Sequence, residues 1–560
     1  MAQHSEGVAL PNCAEAAVSL RNRGEKMRIT VIRHFEVGLF GLACAIGMIG
    51  AFVGLNAHGF WFDEFFTVRI LEPADGSGGL FSRIASDVHP PIYLIVLFLY
   101  SRIVGDTEVA VRSLSALAAS ASILIFVAGT KRTFSLPGRL FGAAIATGSL
   151  FWFFQSQNAR SYAFCLLISA GILALCLSLL AEQPPYDKRI RLGGLIVLMF
   201  IGSFVHFYVM YESLAALIVL ALFKRHERHL MVATGGVLLT ASALYVQFVM
   251  APFSQAALGS NWYQNDFDWY RRVLKSCVQY SFGDVGIIAI AVCVAVFVFC
   301  RISSIGEGKD PVVPGVGISY SSRFPLDSAT VLLVGVPVLV LAGAIVSSTL
   351  IAPNFFDRNY LVLSPFIWGF CTRLYDAAVT AAPRFVRVVL NLALSVLVLS
   401  MASIVGQRLP PERPALAYEP FRESAQWIRS IPECRGQIVP VITTDHKAWY
   451  KPGQAAIVYA NAYGRYLQDF SLPRLIFMEE ILAHRVPTDL PVELQHRMDG
   501  GGCPVLAWSV HNMSVEAIAV AKNELLRSVD RPAAETAVKT KEFQDGQTGF
   551  VLYLDQKRRL

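Results

Sequence analysis

Apolar stretches of about 20 residues, each long enough to cross a bilayer as a helix, recur from about Phe35 to Gly406. That pattern predicts a polytopic α-helical membrane protein with roughly 11 to 13 apolar helices. Composition agrees. Charged residues make up 16% of the 560, hydrophobic ones 54%, and the mean hydropathy is +0.50, whereas a soluble chain carries about 25% charged residues. The first long apolar run follows the basic stretch "RNRGEKMRITVIRH", with no small-residue cleavage site. It reads as a retained first helix, with residues 1–34 as a cytoplasmic tail.

Lys and Arg gather in short loops between the apolar runs: "KRTFSLPGR" (131–139), "YDKRIR" (186–191), "KRHERH" (224–229), the stretch from Arg301 to Arg323, and "RLYDAAVTAAPRFVR" (373–387). The positive-inside rule places these loops in the cytoplasm, so the net charge of +7 calls for no nucleic-acid partner. The intervening turns then face outward: "QSQNARSYA" (155–163), "VHFYVMYES" (205–213), the long stretch 254–284, and "APNFFDRNY" (352–360). Residues 91–130 conflict with this alternation, because two apolar runs flank the polar "DTEVAVR" where an odd number of crossings is needed. The first run is about 14 residues, a length more often re-entrant than spanning. A membrane-dipping element that leaves Asp106, Glu108 and Arg112 outside is the preferred reading. The alternative is that both runs span.

From about Pro410 the composition becomes that of a soluble domain. "FRESAQWIRSI" and "SVEAIAVAKNELLRSV" have helical periodicity, while "QIVPVIT", "CPVLAWSV" and "GFVLYLD" read as strands. The alternation predicts an extracytoplasmic α/β domain over residues 412–560. Most cysteines (Cys44, Cys165, Cys176, Cys293, Cys300, Cys371) fall in apolar runs, as small core residues do. Cys434 and Cys503 are the only two after Pro410, and each precedes an apolar strand. Outside the cytoplasm such a pair is expected to form a disulfide.

Ionisable residues beside membrane segments are costly, so a cluster on one face points to function. The outward ends carry Asp63 and Glu64, then Asp87 and His89 in "SDVHPPIY", Gln157, Arg160 and Tyr162 in "QSQNARSY", and Asp357, Arg358 and Tyr360 in "FFDRNY". Singly, each has a plain structural explanation: a helix start, a turn, a snorkelling anchor, an aromatic belt. Together they suit a substrate with a phosphate leaving group and a hydroxyl nucleophile. Arg neutralises phosphate through a bidentate fork, and a carboxylate takes the proton of the attacking hydroxyl.

"WFDEFF", "DVHPPIYLIVLFLY", "VGDTEVAVRSLSAL" and "FFQSQNARSYAFCLL", in that order and spacing, resemble the GT-C membrane glycosyltransferases of the protein-mannosyltransferase and aminoarabinose-transferase group (glycosyltransferase family 39-like). "HFYVMYES" and "DRNYLVLSPFIWG" support the same resemblance, which covers roughly residues 30–405 and implies a GT-C-like transmembrane domain over 35–406. It implies transfer of a sugar from a polyprenyl-phosphate carrier to an envelope acceptor (a glycolipid, polysaccharide or protein) on the outer face of the plasma membrane, usually with inversion. By the resemblance Asp63 is the catalytic acid, with Glu64 beside it to orient the nucleophile or fix the loop. His89 stands where some relatives have a phosphate-binding lysine. Arg160 matches the arginine of the family's Q-x-A-R pattern, and Tyr162 and Ala163 stand where some relatives have an acid. A second carboxylate would then come from Asp87. Asp87, His89, Gln157, Arg160, Tyr162, Arg358 and Tyr360 are the expected substrate-binding set. No cofactor is required by this chemistry, although Asp63, Glu64 and Asp87 offer oxygens to a divalent metal. A transporter or lipid flippase also needs charges near the membrane, but it tends to show inverted repeats and midplane sites. Here the charges lie at one face and no repeat is visible.

Overall fold

The computed structural model describes residues 34–71, 79–85, 87, 89–181, 185–250, 266–306, 327–350 and 354–407. In the C-terminal part it describes 421–435, 440–443, 454–467, 474–483, 489–490, 492–493, 503, 505–509, 516, 519–520, 523, 537–542 and 550–555. The expected tail, apart from His34, and the start of the expected C-terminal domain lie outside the described residues. So does most of "SVEAIAVAKNELLRSV".

The N-terminal part is helical: α1 (His34–Gly50), α2 (Phe62–Val68), α3 (Leu80–Ala85), α4 (Ile92–Val104), α5 (Glu108–Gly129), α6 (Leu136–Thr147), α7 (Leu150–Ser156) and α8 (Tyr162–Leu180). Then follow α9 (Pro185–Ser203), α10 (Phe207–Phe223), α11 (Arg228–Tyr245), α12 (Phe267–Gly306), α13 (Ser328–Leu350), α14 (Ser364–Ala381) and α15 (Arg384–Gln407). Among the described residues, six stretches are long and apolar enough to cross a membrane: Glu108–Gly129, Tyr162–Leu180, Arg225–Val249, Phe267–Ser303, Ser328–Leu350 and Arg384–Ile404. α1, α4 and α10 are apolar but shorter.

Hydroxyl caps divide the apolar sequence. Thr107 accepts from Ala110 N at 3.3 Å to start α5. Ser149 accepts from Trp152 N at 3.2 Å, so the run 136–156 becomes two helices rather than one. α12 is broken at Gly283, whose φ of +57° is open to glycine without a Cβ penalty. The core lies where α5, α7 and α8 meet, with Trp152 fully buried and its indole N–H donated to the Ala119 carbonyl at 3.2 Å. α6 and α14 are joined by Thr372, whose hydroxyl donates to the Gly138 carbonyl at 3.0 Å.

Charged contacts hold the basic loops: the backbone N–H of Ser135 donates to Asp376 at 3.0 Å, Arg373 pairs with Asp327 at 2.6 Å, and Lys188 pairs with Glu227. α4 behaves differently. Ile92 N donates to the Phe204 carbonyl at 3.0 Å, while Asp106, just past its other end, pairs with Arg465 of the C-terminal part at 3.4 Å. A 13-residue helix spans about 20 Å, short of the roughly 30 Å hydrocarbon core. α4 is therefore too short to cross by itself, whereas α5 is among the stretches long and apolar enough to do so.

The C-terminal part contains α16 (Phe421–Ser430), β1 (Val441–Thr443), α17 (Gln454–Leu467), β2 (Leu475–Phe477), α18 (Met478–Leu482), β3 (Val505–Ser509), β4 (Ala537–Glu542) and β5 (Phe550–Asp555). The strands form one sheet in the order β2-β1-β3-β5-β4. β1 runs parallel to β2 and β3, and β5 antiparallel to β3 and β4. The three strands read from the sequence occupy its centre, and β2 and β4 add its edges. A disulfide joins Cys434, just after α16, to Cys503 at the entry to β3, across 69 residues.

Closing a loop of that length stabilises the folded part by about 4 kcal/mol in the chain-entropy model. The expected outcome of thiol labelling on denatured, unreduced protein is that Cys434 and Cys503 stay protected until reductant is added. Free labelling of both would show that the bridge does not form in the native chain.

Candidate active site

Asp63 and Glu64 begin α2, and neighbouring residues on a helix point about 100° apart. Glu64 turns inward and is fully buried. One of its oxygens accepts from Arg112 Nε at 2.9 Å and from Ala159 N at 2.7 Å. The other accepts from Arg112 Nη2 at 2.6 Å and, closing a capping box, from Trp61 N at 3.2 Å. Arg112, equally buried in α5, donates further to the carbonyls of Leu55 and His58 (2.8 and 2.9 Å) and of Gly59 (2.8 Å). All five guanidinium N–H groups are thereby used. Gln157 completes the fastening, its amide donating to the Gly50 and Val53 carbonyls at 3.1 and 2.7 Å. Of the two roles open to Glu64, orienting a nucleophile or fixing the loop, its four hydrogen bonds fit the second.

Asp63 turns the other way, half-buried, and accepts from Arg358 Nη1 at 2.6 Å. Arg358 lies in the 3-10 turn Asp357–Leu363 that leads into α14. From the start of α8, buried Arg160 donates through Nη1 to the Asp63 carbonyl at 2.8 Å and to the Thr67 hydroxyl at 2.9 Å. Its Nη2 lies 3.4 Å from His89 Nε2. Asp87 accepts from the His89 backbone N–H at 2.8 Å and lies 3.0 Å from Nδ1. With Nδ1–H given to Asp87, Nε2 is left to accept from Arg160.

These contacts set the charge of the site. Burial raises the Asp87 carboxyl, but its hydrogen bonds with His89 and the charges of His89 and Arg160 outweigh that and hold it below the usual carboxylate value. Desolvation, then the charge of Arg160, pushes His89 below the ordinary imidazole value despite Asp87. His206, the N-cap of α10, is held well below it, first by burial and then by His89, Arg160 and Arg358. Both imidazoles are neutral at pH 7. His206 Nδ1 accepts from Tyr208 N at 3.2 Å, and its ring lies 5.3 Å from His89 and 5.6 Å from Tyr162. Tyr360 packs on Tyr208 and Phe355 at 5.4 and 4.9 Å, as part of the aromatic wall behind Arg358.

Asp63, Asp87, His89, Arg160, Tyr162 and Arg358, expected from four separate segments, are thus brought together. Gln157 and Glu64 hold the loops, and Tyr360 packs in the wall. Asp63, Glu64 and Asp87 are not gathered into one metal-holding group, and no such cluster of His, Cys, Asp and Glu occurs among the described residues. Arg112, Thr67 and His206 were not among the expected site residues. A lone arginine inside the apolar "EVAVRSLSALAA" was the signal that could have found the first, since an intramembrane charge needs a partner.

No family model matches the chain, and no curated protein does. Solved structures do. ArnT from Cupriavidus metallidurans in the apo state superposes with a TM-score of 0.52 at 11% identity, covering 93% of this chain and 98% of that one. The same protein bound to undecaprenyl phosphate gives 0.49 at 11% identity, covering 92% and 98%. The Archaeoglobus fulgidus oligosaccharyltransferase in complex with Zn and sulfate gives 0.46 at 10% identity, covering 91% and 72%. The chain is a multi-pass membrane protein with the GT-C fold. Within that fold its architecture is similar to that of apo ArnT along nearly the whole of both chains.

Two outcomes follow from the site's electrostatics. Removing one partner of a buried ion pair costs about 3–5 kcal/mol, so Glu64→Ala is expected to lower the melting temperature of detergent-purified protein sharply. An unchanged melt would show that the pair holds nothing. The folded site also resists protonation of His89 and His206. As pH falls below about 6.5, the unfolded chain takes up protons that the folded chain refuses, and stability falls. Asp87, with its depressed pKa, adds a further loss only below its ordinary carboxylate range. Thermal melts between pH 7 and 5 should show the decline, and His89→Gln with His206→Gln should flatten it.

Proposed function

We propose that this protein is a membrane glycosyltransferase that takes a sugar from a polyprenyl-phosphate carrier and passes it to an envelope acceptor on the extracytoplasmic face of the plasma membrane, with inversion. One observation carries the reading: a half-buried carboxylate, Asp63, is held at 2.6 Å by Arg358 with Arg160 fixed to its own backbone carbonyl. The GT-C fold supports it.

In this reading Asp63 accepts the proton of the acceptor nucleophile as that atom bonds to the anomeric carbon and the bond from that carbon to the phosphate oxygen breaks. The carrier phosphate leaves with one more negative charge, while Asp63 loses one. Negative charge therefore moves from carboxylate to phosphate without changing the total. A cation that already touches Asp63 is suited to follow it. Arg358 has four N–H groups beyond the one given to Asp63, and Arg160 supplies a second positive charge in the same place. Preorganised donors that face developing charge are the largest contribution in many enzymes. Asp87 and Arg160 fix the His89 ring, which binds as a neutral group rather than as the cation that a lysine would supply.

Asp63→Asn is expected to lower kcat by about 10²–10⁴-fold, the usual contribution of a positioned general base, with membrane insertion unchanged. Substantial transfer by that variant overturns the assignment. Charge-assisted hydrogen bonds contribute about 1.5–3 kcal/mol, so Arg358→Ala should weaken use of polyprenyl-phosphate sugar by about one to two orders of magnitude. Arg358→Lys should restore little, because the fork is lost. Wild-type kinetics in the alanine variant would make Arg358 a packing residue only.

A further inference from the structure

The loop that carries Asp63 is held from below by Glu64 and Arg112, and it is also held from above. Tyr466, near the end of α17, accepts the Phe60 backbone N–H at 2.8 Å and donates its hydroxyl to Glu108 at 2.9 Å. Arg422, in the first turn of α16, donates to the Asn56 side chain at 2.8 Å and to the Asn56 and Ala57 carbonyls at 3.1 Å. Phe421 and Tyr466 pack on Phe65, with ring centroids 5.2 and 6.2 Å apart. The Phe60 ring lies between two guanidinium groups, Arg112 at 5.2 Å and Arg465 at 5.1 Å. Gly59 shows how close the approach is. A Cβ there would lie 2.7 Å from Arg422 Cβ and 3.1 Å from the Tyr466 hydroxyl, while its carbonyl already accepts from Arg112.

We propose that the C-terminal part is an intramolecular brace for the loop 56–65, and that Tyr466 is a positioning residue which fixes the Asp63 carboxylate through the Phe60 backbone. This rests on the reading of Asp63 as the reacting carboxylate. Asp63 lies three residues from Phe60 in the chain. Arg112, Arg160 and Arg358 hold Asp63 and Glu64, while α16 and α17 hold the preceding residues 56–60 from the other face. Losing the second set loosens the stretch that leads into α2 and lets Asp63 shift against its remaining contacts. Reactions that depend on a near-attack geometry fall steeply with small misplacements of the reacting group. Such a loss appears in turnover and not in binding of the carrier phosphate, which Arg160 and Arg358 hold from other elements.

The test is Tyr466→Phe, which keeps the ring and removes the hydroxyl, measured beside Gly59→Ala and Asp63→Asn in the full-length protein. Turnover with a polyprenyl-phosphate sugar is expected to fall about tenfold in Tyr466→Phe, the size of one or two lost hydrogen bonds, with the donor KM within about twofold of wild type. Amide hydrogen exchange in peptides covering 56–66 should accelerate about tenfold by the same reasoning, while exchange in β1, β3 and β5 stays unchanged. Gly59→Ala should shift both readouts in the same direction. Wild-type turnover together with wild-type exchange in Tyr466→Phe overturns the brace. A loss of folded protein with unchanged kcat per folded molecule overturns it too, since that is what a merely structural contact gives. Should Asp63→Asn remain active, the reading of Asp63 fails by itself, and the exchange measurement alone decides whether α16 and α17 hold the loop.

Discussion

Everything at the outward end depends on one buried ion pair. Glu64 and Arg112 lie 48 residues apart, on a two-turn helix and at the head of a membrane-crossing one. Each would be intolerable there alone, because a bare charge in that surrounding costs several kcal/mol. Together they satisfy one another and the carbonyls of Leu55, His58 and Gly59, which no helix or strand would otherwise pair. The adjacent acids at 63 and 64 repel one another only if they face the same way. The helix turns them apart, one into the fold and one towards the cleft. The first gives the loop its shape and leaves the second to meet Arg358 in the cleft.

The cleft is close to electrically balanced. Asp63 and Asp87 face Arg160 and Arg358, while His89 and His206 are kept neutral by burial and by those same arginines. In the proposed reaction Asp63 takes up a proton as the phosphate gains a charge, so the positive charge this uncovers on the arginines faces the departing phosphate.

Much of this was legible in the sequence, and the reasons differ by element. The membrane segments showed through length and hydropathy, and the outward cluster through several charges gathered where each is costly. Three central strands were visible as apolar runs. β2, three residues long, offers no period to read, and β4, "AVKTKE", carries the lysines and glutamate of a protected sheet edge. Arg112 was seen as an outward charge but not as the partner of Glu64, because pairing across 48 residues leaves no local trace. His206 hid as the N-cap of an aromatic helix. The contacts of Tyr466 and Arg422 were beyond reach for the same reason, at separations of several hundred residues.

That last separation has a consequence for how the protein comes into being. Phe60 and Tyr466 are 406 residues apart, and at about 5–20 residues per second the ribosome needs roughly 20 to 80 s to make the intervening chain. During that interval the loop has its membrane-side anchorage, because Arg112 emerges soon after Glu64, but nothing above it. Until α16 and α17 have been made and have folded onto the loop, the cleft lacks the contacts of Tyr466 and Arg422.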